Sequence, residues 1–263
     1  MSKAESAEAP GGVSKIGQQK PTSSLSRYRS VIHYLAGYHW PGLFYALHQL
    51  REGKEDGRPA VSRDTELVIE GYPRSGNTFA VHAFRLAQNR PVKIAHHLHV
   101  PAQIMRAARF DIPTLVLIRE PESVVRSMML RHGFLRPADA LRGYAMYYRK
   151  ILAYRDSFVA ARFEDVIDTL DRVIEHVNWR FGTEFIPFEP TQSNVDAAFR
   201  SIERRNVASG RDELSIARPS ETKDIAKRDI DLSRCERILG KCHEVYDQFC
   251  DTVQLIPARA ARS

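Results

Sequence analysis

From residue 66 onward the chain alternates between two hydrophobic periods. Leu67-Val68-Ile69 is a short unbroken apolar run, Val92 to His97 is a second, Thr114 to Ile118 a third, and Phe158 to Phe163 a fourth. Apolar runs of this length, bounded by turn residues, read as strands covered on both faces. Between them lie stretches with helical spacing: 75–88, 102–110, 121–131 with Pro121 at the first helical position, and the Tyr-rich 141–154. Val166, Ile167, Leu170, Val173, Ile174 and Val177 form one more stripe. A last helix opens at Ser233, with Glu236 three residues on as a capping box, and it buries Leu232, Cys235, Ile238, Leu239, Cys242, Val245, Tyr246 and Phe249. Repeated strand–helix units predict an α/β fold: three layers, with a mostly parallel central sheet flanked by helices and right-handed crossovers. The region 190–230 is polar and irregular, and its pattern predicts no element.

The flanks read differently. Residues 1–24 carry almost no large apolar side chains and predict a disordered tail. Residues 25–60 predict a helical extension and linker, two short aromatic helices split at Pro41, whose faces suit packing on the domain first, and a membrane surface or an acceptor as the alternative. The main domain is expected over 61–255 and a C-terminal tail over 256–263, with no internal repeats. The 263 residues are 43% hydrophobic and 27% charged, with a net charge of +7 and a pI near 9.4. That balance fits a soluble protein with an anionic ligand or partner. Three cysteines are too few for a disulfide framework and are not spaced as metal ligands, which fits a reducing, cytoplasmic setting. No apolar run approaches the ~20 residues that span a bilayer, and the N-terminus lacks a signal-peptide core.

Ligands of open α/β sheets bind beyond the carboxyl ends of the strands, and three strand ends here carry useful chemistry. The first is Gly71-Tyr72-Pro73-Arg74-Ser75-Gly76-Asn77-Thr78-Phe79, a turn into a helix N-terminus whose unpaired N–H groups suit a phosphate. An ATP or GTP loop would need lysine at position 77, where Asn77 stands; the cation sits inside the turn, at Arg74. Thr78 offers a hydroxyl and Phe79 a flat face for a base. The third strand ends in Arg119-Glu120-Pro121, with Ser127 eight residues after Arg119, a guanidinium and hydroxyl clamp for a second phosphate. The second ends in His96, His97 and His99, the proton handlers. Strand alternation puts His97 and His99 on one face and His96 on the other. A metal is the rival use of these histidines, but no carboxylate or cysteine accompanies them in the sequence, so no metal is expected.

Together these stretches resemble the sulfotransferase family. Tyr72 to Phe79 resembles its 5′-phosphosulfate loop, usually Tyr-Pro-Lys-Ser-Gly-Thr-Thr-Trp. Arg119-Glu120-Pro121 with Ser127 resembles its 3′-phosphate motif. His99-Val100-Pro101 is similar to the His-Leu-Pro that carries its catalytic histidine, and Phe163-Glu164-Asp165 to its Tyr-Glu-Asp. The likeness spans roughly residues 66–182, with the motifs in the right order.

The resemblance implies a P-loop NTPase-like fold and a co-substrate, 3′-phosphoadenosine 5′-phosphosulfate. A sulfuryl group would pass to a hydroxyl or amine of a small-molecule or glycan acceptor. It makes Arg74, Ser75, Gly76, Asn77, Thr78, Phe79, Arg119 and Ser127 donor-binding residues, gives Arg74 the leaving phosphate, and makes His99 the base, with His97 as the other choice. Arg replaces Lys at 74, Phe replaces Trp at 79, and Phe replaces Tyr at 163. The family's C-terminal Arg-Lys-Gly has no clear match; Arg218-Pro219-Ser220 with Lys223 is the substitute expected. Two rivals remain: a nucleotide-dependent kinase, and a non-catalytic nucleotide- or nucleic-acid-binding protein. The second would want an interleaved basic–aromatic platform, which is missing, so no nucleic-acid partner is expected. Oligomeric state and acceptor identity are left open.

Overall fold

Four strands register in parallel at the centre of the protein: β1 (Leu67–Gly71), β2 (Ile94–His96), β3 (Thr114–Ile118) and β4 (Val159–Arg162), in the order β2-β1-β3-β4. The computed structural model describes residues 35–50, 59–131, 135–208 and 221–253. Ile69 pairs with His96, Gly71 with Leu117 and Ile118 with Arg162, so the ends of the strands lie side by side. The chain leaves β1 for β2 on one side, then crosses back over β1 to β3 on the other. The reversal opens a crevice between the ends of β1 and β3, where an open α/β sheet takes its ligand.

Strand alternation sorts the core into two layers. Val68, Ala95, Val116, Ile118 and Ala160 face a layer built from Ile104, Leu141, Tyr144, Tyr148, Cys242 and Phe249. Leu67, Ile69, Leu115, Leu117, Val159 and Ala161 face the other, with Val81, Phe84, Ile174, Val177 and Ile202. Covered strands predict unbroken apolar runs, and β3 is buried along its whole length. The fold is therefore the three-layer α/β sheet that the pattern predicts.

The aromatic extension belongs to the first layer. Residues 35–39 and Pro41–Gln49 are helical, split at Trp40 with Pro41 at a first helical position. Tyr38 and Phe44 are buried in the first core layer, and the Tyr45 hydroxyl reaches Ala102 O and Gln103 Oε1, each at 3.2 Å. Between the loop and the last helix, Glu236–Cys250, runs a column of rings: Tyr72 on Tyr144 at 5.6 Å, Tyr144 on Tyr148 at 4.7 Å, Tyr148 on Phe249 at 5.1 Å.

Several elements differ from the pattern. β2 stops at His96, and β4 at Arg162, because Phe163 opens a short helix, Phe163–Asp168, whose start is held by Asp165 Oδ2 accepting the Arg162 N–H at 3.0 Å. The stripe from Val166 to Val177 breaks at Thr169, and Leu170–Phe181 is a separate helix. The capping box at Ser233 is not formed: its hydroxyl donates to Asp231 at 3.0 Å, and a 3₁₀ turn, Ser233–Cys235, leads into the helix. Within 190–230 the described residues include two helices that the pattern does not predict, Gln192–Ala208 and Glu221–Arg228; residues 209–220 lie outside the description. The first is held by a narrow stripe, Ala198, Phe199 and Ile202, buried against the Asn77–Ala87 helix. The tails at 1–24 and 256–263 lie outside the described residues.

Candidate active site

The loop after β1 turns on two glycines. A Cβ at Gly71 would strike Leu117 O on the neighbouring strand, and Gly76 sits at φ 95°, a region L side chains rarely adopt. Asn77, 3% exposed, turns inward and staples the turn, its amide donating to Tyr72 O at 3.2 Å and Gly71 O at 3.5 Å. This is the physical use of asparagine where an ATP loop has lysine. Ser75 is also spent inside: its hydroxyl pairs with Tyr148 Oη at 3.2 Å, and its N–H donates to Tyr72 O. Tyr148 in turn donates to Leu117 O at 2.7 Å and accepts the Tyr72 N–H at 3.3 Å. Phe79, 3% exposed, packs on Phe199 and Phe188 at 5.2 and 6.2 Å, so it offers no open face for a base. Gly76 and Thr78 remain at the mouth, where the N-terminus of the Asn77–Ala87 helix opens.

Arg74 leaves the turn sideways. Its backbone is left-handed, at φ 73°, and its Nε donates to Ser127 Oγ at 2.8 Å. Arg119 Nη1 donates to Arg74 O at 3.4 Å. The two expected phosphate clamps are thus one connected group across the crevice. Burial, then the nearby Arg131 and Arg119, lowers the Arg74 pKa to about 10. Cations gathered at this depth are relieved by an anion.

Arg119 also lies over the Phe163 ring, 3.9 Å from its centroid, a flat cation–π contact. Phe163, not Phe79, is therefore the aromatic face beside the loop, and a Cβ on Gly76 would lie 3.1 Å from it. Beyond Arg119 opens a cleft of about 450 Å³ lined by Arg119, Ser123, Arg126, Asp224, Lys227 and Arg228. Arg126 is structural here, donating to Lys227 O at 2.9 Å and to Ile230 O, so it caps the Glu221–Arg228 helix. Lys227 and Arg228, which the sequence reading missed, bring the C-terminal cations to this cleft. Of the expected pair, Arg218 lies outside the described residues; Lys223 lies on this helix, and its side chain is outside the description.

The histidines are not a strand. His97 and His99 have φ 63° and 53°, so alternation does not apply after His96. The cause is Glu70, fully buried at the end of β1. Its carboxylate accepts the N–H groups of Leu98 at 2.8 Å and His99 at 3.3 Å, and that of Gly71 at 3.4 Å. Two consecutive N–H groups drawn onto one anion demand the left-handed kinks. Burial lifts Glu70 to about 7 despite these donors. A carboxylate does accompany the histidines, contrary to the sequence pattern: Glu70 Oε2 lies 3.6 Å from His99 Nδ1. His99 Nδ1 donates to Gly71 O at 2.8 Å. His97 Nε2 lies 3.1 Å from Thr78 Oγ1, and its Nδ1 2.8 Å from His96 Nδ1. His96 Nε2 accepts from Arg85 Nη2 at 3.1 Å. Burial, then Arg85 and Arg205, holds His96 down at about 3; burial, then Arg205 and Arg85, holds His82 at about 4.

Among the described residues, Glu120, Glu122 and His243 bring ligand-type atoms within 4.8 Å of one another. The Glu120 carboxylate already accepts the N–H groups of Glu122 and Ser123, capping the Pro121–Arg131 helix. No described helix is long and apolar enough to cross a membrane.

No family model and no curated protein matches the sequence. Among solved structures, the chain is similar to the mouse sulfotransferase SULT7A1 complexed with PAP, with a TM-score of 0.40 and 9% identity over 72% of this chain and 86% of that one.

Proposed function

We propose that the protein transfers a sulfuryl group from 3′-phosphoadenosine 5′-phosphosulfate to a hydroxyl of an acceptor. The reading is carried by one observation: an anion cradle, a row of cations and an imidazole base meet at the ends of three adjacent parallel strands. The cradle is the N-terminus of the Asn77–Ala87 helix, with Gly76 and Thr78 at its mouth. Arg119, Ser123, Lys227 and Arg228 line a separate cleft that suits the 3′-phosphate. Phe163, already stacked on Arg119, gives a flat apolar face between the two.

When bound, the co-substrate supplies the sulfuryl group on a phosphate leaving group. His99 takes the acceptor proton at Nε2: its Nδ1–H is committed to Gly71 O, which leaves the lone pair on the other nitrogen. The acceptor oxygen then bonds to sulfur as the bond from sulfur to the phosphate oxygen breaks, and the electron pair stays on that phosphate. Arg74 and the helix N-terminus stabilise the charge gathered there. Arg74 is held beside the cradle by Ser127 and is fully charged at neutral pH. Glu70 fixes the backbone from which His99 projects, so the base is set by a buried carboxyl group rather than by strand geometry.

The test is binding of 3′-phosphoadenosine 5′-phosphate against ATP with Mg²⁺. At a hundredfold excess over its dissociation constant the former should add about 2.7 kcal/mol of stability. Arg119→Ala should weaken it at least tenfold. His99→Ala should abolish turnover of labelled donor with candidate acceptors and leave that binding intact. Stabilisation by ATP with Mg²⁺ alone would overturn the reading.

A further inference from the structure

Three residues of the Asn77–Ala87 helix, Thr78, His82 and Arg85, repeat at i, i+4 and i+7 and so share one face. Arg85 and Thr78 are joined by a continuous row of hydrogen bonds through the two histidines that follow β2. The contacts are Arg85 Nη2 to His96 Nε2 at 3.1 Å, His96 Nδ1 to His97 Nδ1 at 2.8 Å, and His97 Nε2 to Thr78 Oγ1 at 3.1 Å.

The direction of this row follows from its first member. A guanidinium nitrogen only donates, so His96 Nε2 accepts. His96 is buried, and it faces Arg85, Arg205, His82 and His99 as well as His97; burial first, then Arg85, Arg205, His82 and His99, keep its ring neutral, so its one hydrogen sits on Nδ1. That hydrogen goes to His97 Nδ1, which leaves the hydrogen of a neutral His97 on Nε2, aimed at Thr78 Oγ1. A hydroxyl that accepts from His97 turns its own hydrogen elsewhere, and Thr78 stands in the first turn of the helix, at the mouth of the cradle.

We propose that Arg85 is a positioning residue: acting through His96 and His97, it fixes the tautomer of His97 and makes the Thr78 hydroxyl an obligate hydrogen-bond donor to an anion held at the helix N-terminus. The relay itself stands on these contacts; its effect on binding rests on the sulfuryl-transfer reading. It also separates the two histidines. His97 is a donor with both nitrogens committed, and the proton-accepting role falls to His99.

Exchanging Arg85 tests the direction of the row. Lysine also only donates, so Arg85→Lys should preserve it. A carboxylate only accepts, so Arg85→Glu should reverse every bond and turn the Thr78 hydroxyl back onto His97. Arg85 is exposed, so neither change disturbs the core. The readouts are the ring-nitrogen tautomers of His96 and His97 by ¹⁵N spectroscopy at pH 8, assigned with His96→Gln and His97→Gln, and the affinity for 3′-phosphoadenosine 5′-phosphate. The expected result is an Nε2–H ring at His97 in the wild type and Arg85→Lys, and an Nδ1–H ring in Arg85→Glu. Affinity should fall about tenfold in Arg85→Glu and in Thr78→Val, the worth of one hydrogen bond to a charged group, with no further fall when the two are combined. An Nδ1–H ring at His97 in the wild type, or no change of tautomer in Arg85→Glu, overturns the relay. Equal weakening by Arg85→Glu with and without the Thr78 hydroxyl overturns it too, since that is a plain charge effect. If the wild type fails to bind the nucleotide, the sulfuryl-transfer reading falls, and the tautomers still decide the relay.

Discussion

Lowering the pH sets two groups of buried side chains against each other, and the outcome follows from their positions. His96 is 1% exposed and His82 8%, and their pKa values are held near 3 and 4. In the unfolded chain each ring takes a proton near pH 6.5, while in the folded protein it stays neutral. The unfolded state therefore binds more protons below pH 6.5, and stability falls as pH falls. Glu70 works the other way. Its folded pKa of about 7 lies above the ordinary value of 4.5, so the folded state binds the extra proton and stability rises as pH falls from 7 to 4.5. At about 1.4 kcal/mol per unit, the two histidines together remove roughly 5 kcal/mol between pH 6.5 and 4.5, and Glu70 returns about 3. These three groups together thus take roughly 2 kcal/mol from the wild type over this range, and their shares are read by comparing variants with the wild type in urea unfolding at the two pH values. His96→Gln should lose about 2 kcal/mol less than the wild type, because one of the two buried rings is gone. Glu70→Gln should lose about 3 kcal/mol more than the wild type. Other titrating groups are common to all three proteins and cancel in the comparison. If the two substitutions bend the pH profile in the same direction, or neither changes it, the buried charges assigned to these residues are wrong.

Two further outcomes check the loop. Gly76→Ala forces a side chain into φ 95° and 3.1 Å from Phe163, and should cost about 1–3 kcal/mol in unfolding while weakening the nucleotide, because Phe163 carries Arg119; unchanged affinity would break the link between that ring and the cleft. Tyr148→Phe strips a partner from Leu117 O, the Tyr72 N–H and Ser75 Oγ at once, and should lower stability by about 1–3 kcal/mol in thermal or urea unfolding; a neutral result would mean the loop does not lean on this hydroxyl.

The sheet was legible because its strands are short, apolar and separated by helical spacing. The pattern placed β3 and the Pro121–Arg131 helix at their observed bounds, since both have clear local signals at each end. The Gln192–Ala208 helix shows no period because its three buried apolar side chains sit among arginines, serines and asparagines, too narrow a stripe to read. Arg74, Arg119 and the histidines stand out as candidates by residue type and position near strand ends, and Ser127 by its spacing from Arg119. What could not be read was how they are joined. Arg74 reaching Ser127 is a contact between distant segments, and no local rule specifies it. The inward turns of Asn77 and Phe79 likewise depend on partners far along the chain. Glu70 hid in plain view, a lone carboxylate ending a buried strand. Such a residue must find donors, and the kinked turn at residues 97–99 that supplies them follows from that need.

The column of rings from Tyr72 through Tyr144 and Tyr148 to Phe249 bears on the order in which the protein can be made. Synthesis delivers the loop early and the last helix late. Until Phe249 arrives, Tyr148 lacks one of the rings that back it, and the hydroxyl that seats Ser75 and Tyr72 is held less firmly. A nascent chain stopped short of its final helix would carry every residue of the cradle and the Asn77 staple, but not the Phe249 ring that backs Tyr148. The earliest-made part of the site is thus among the last to be finished.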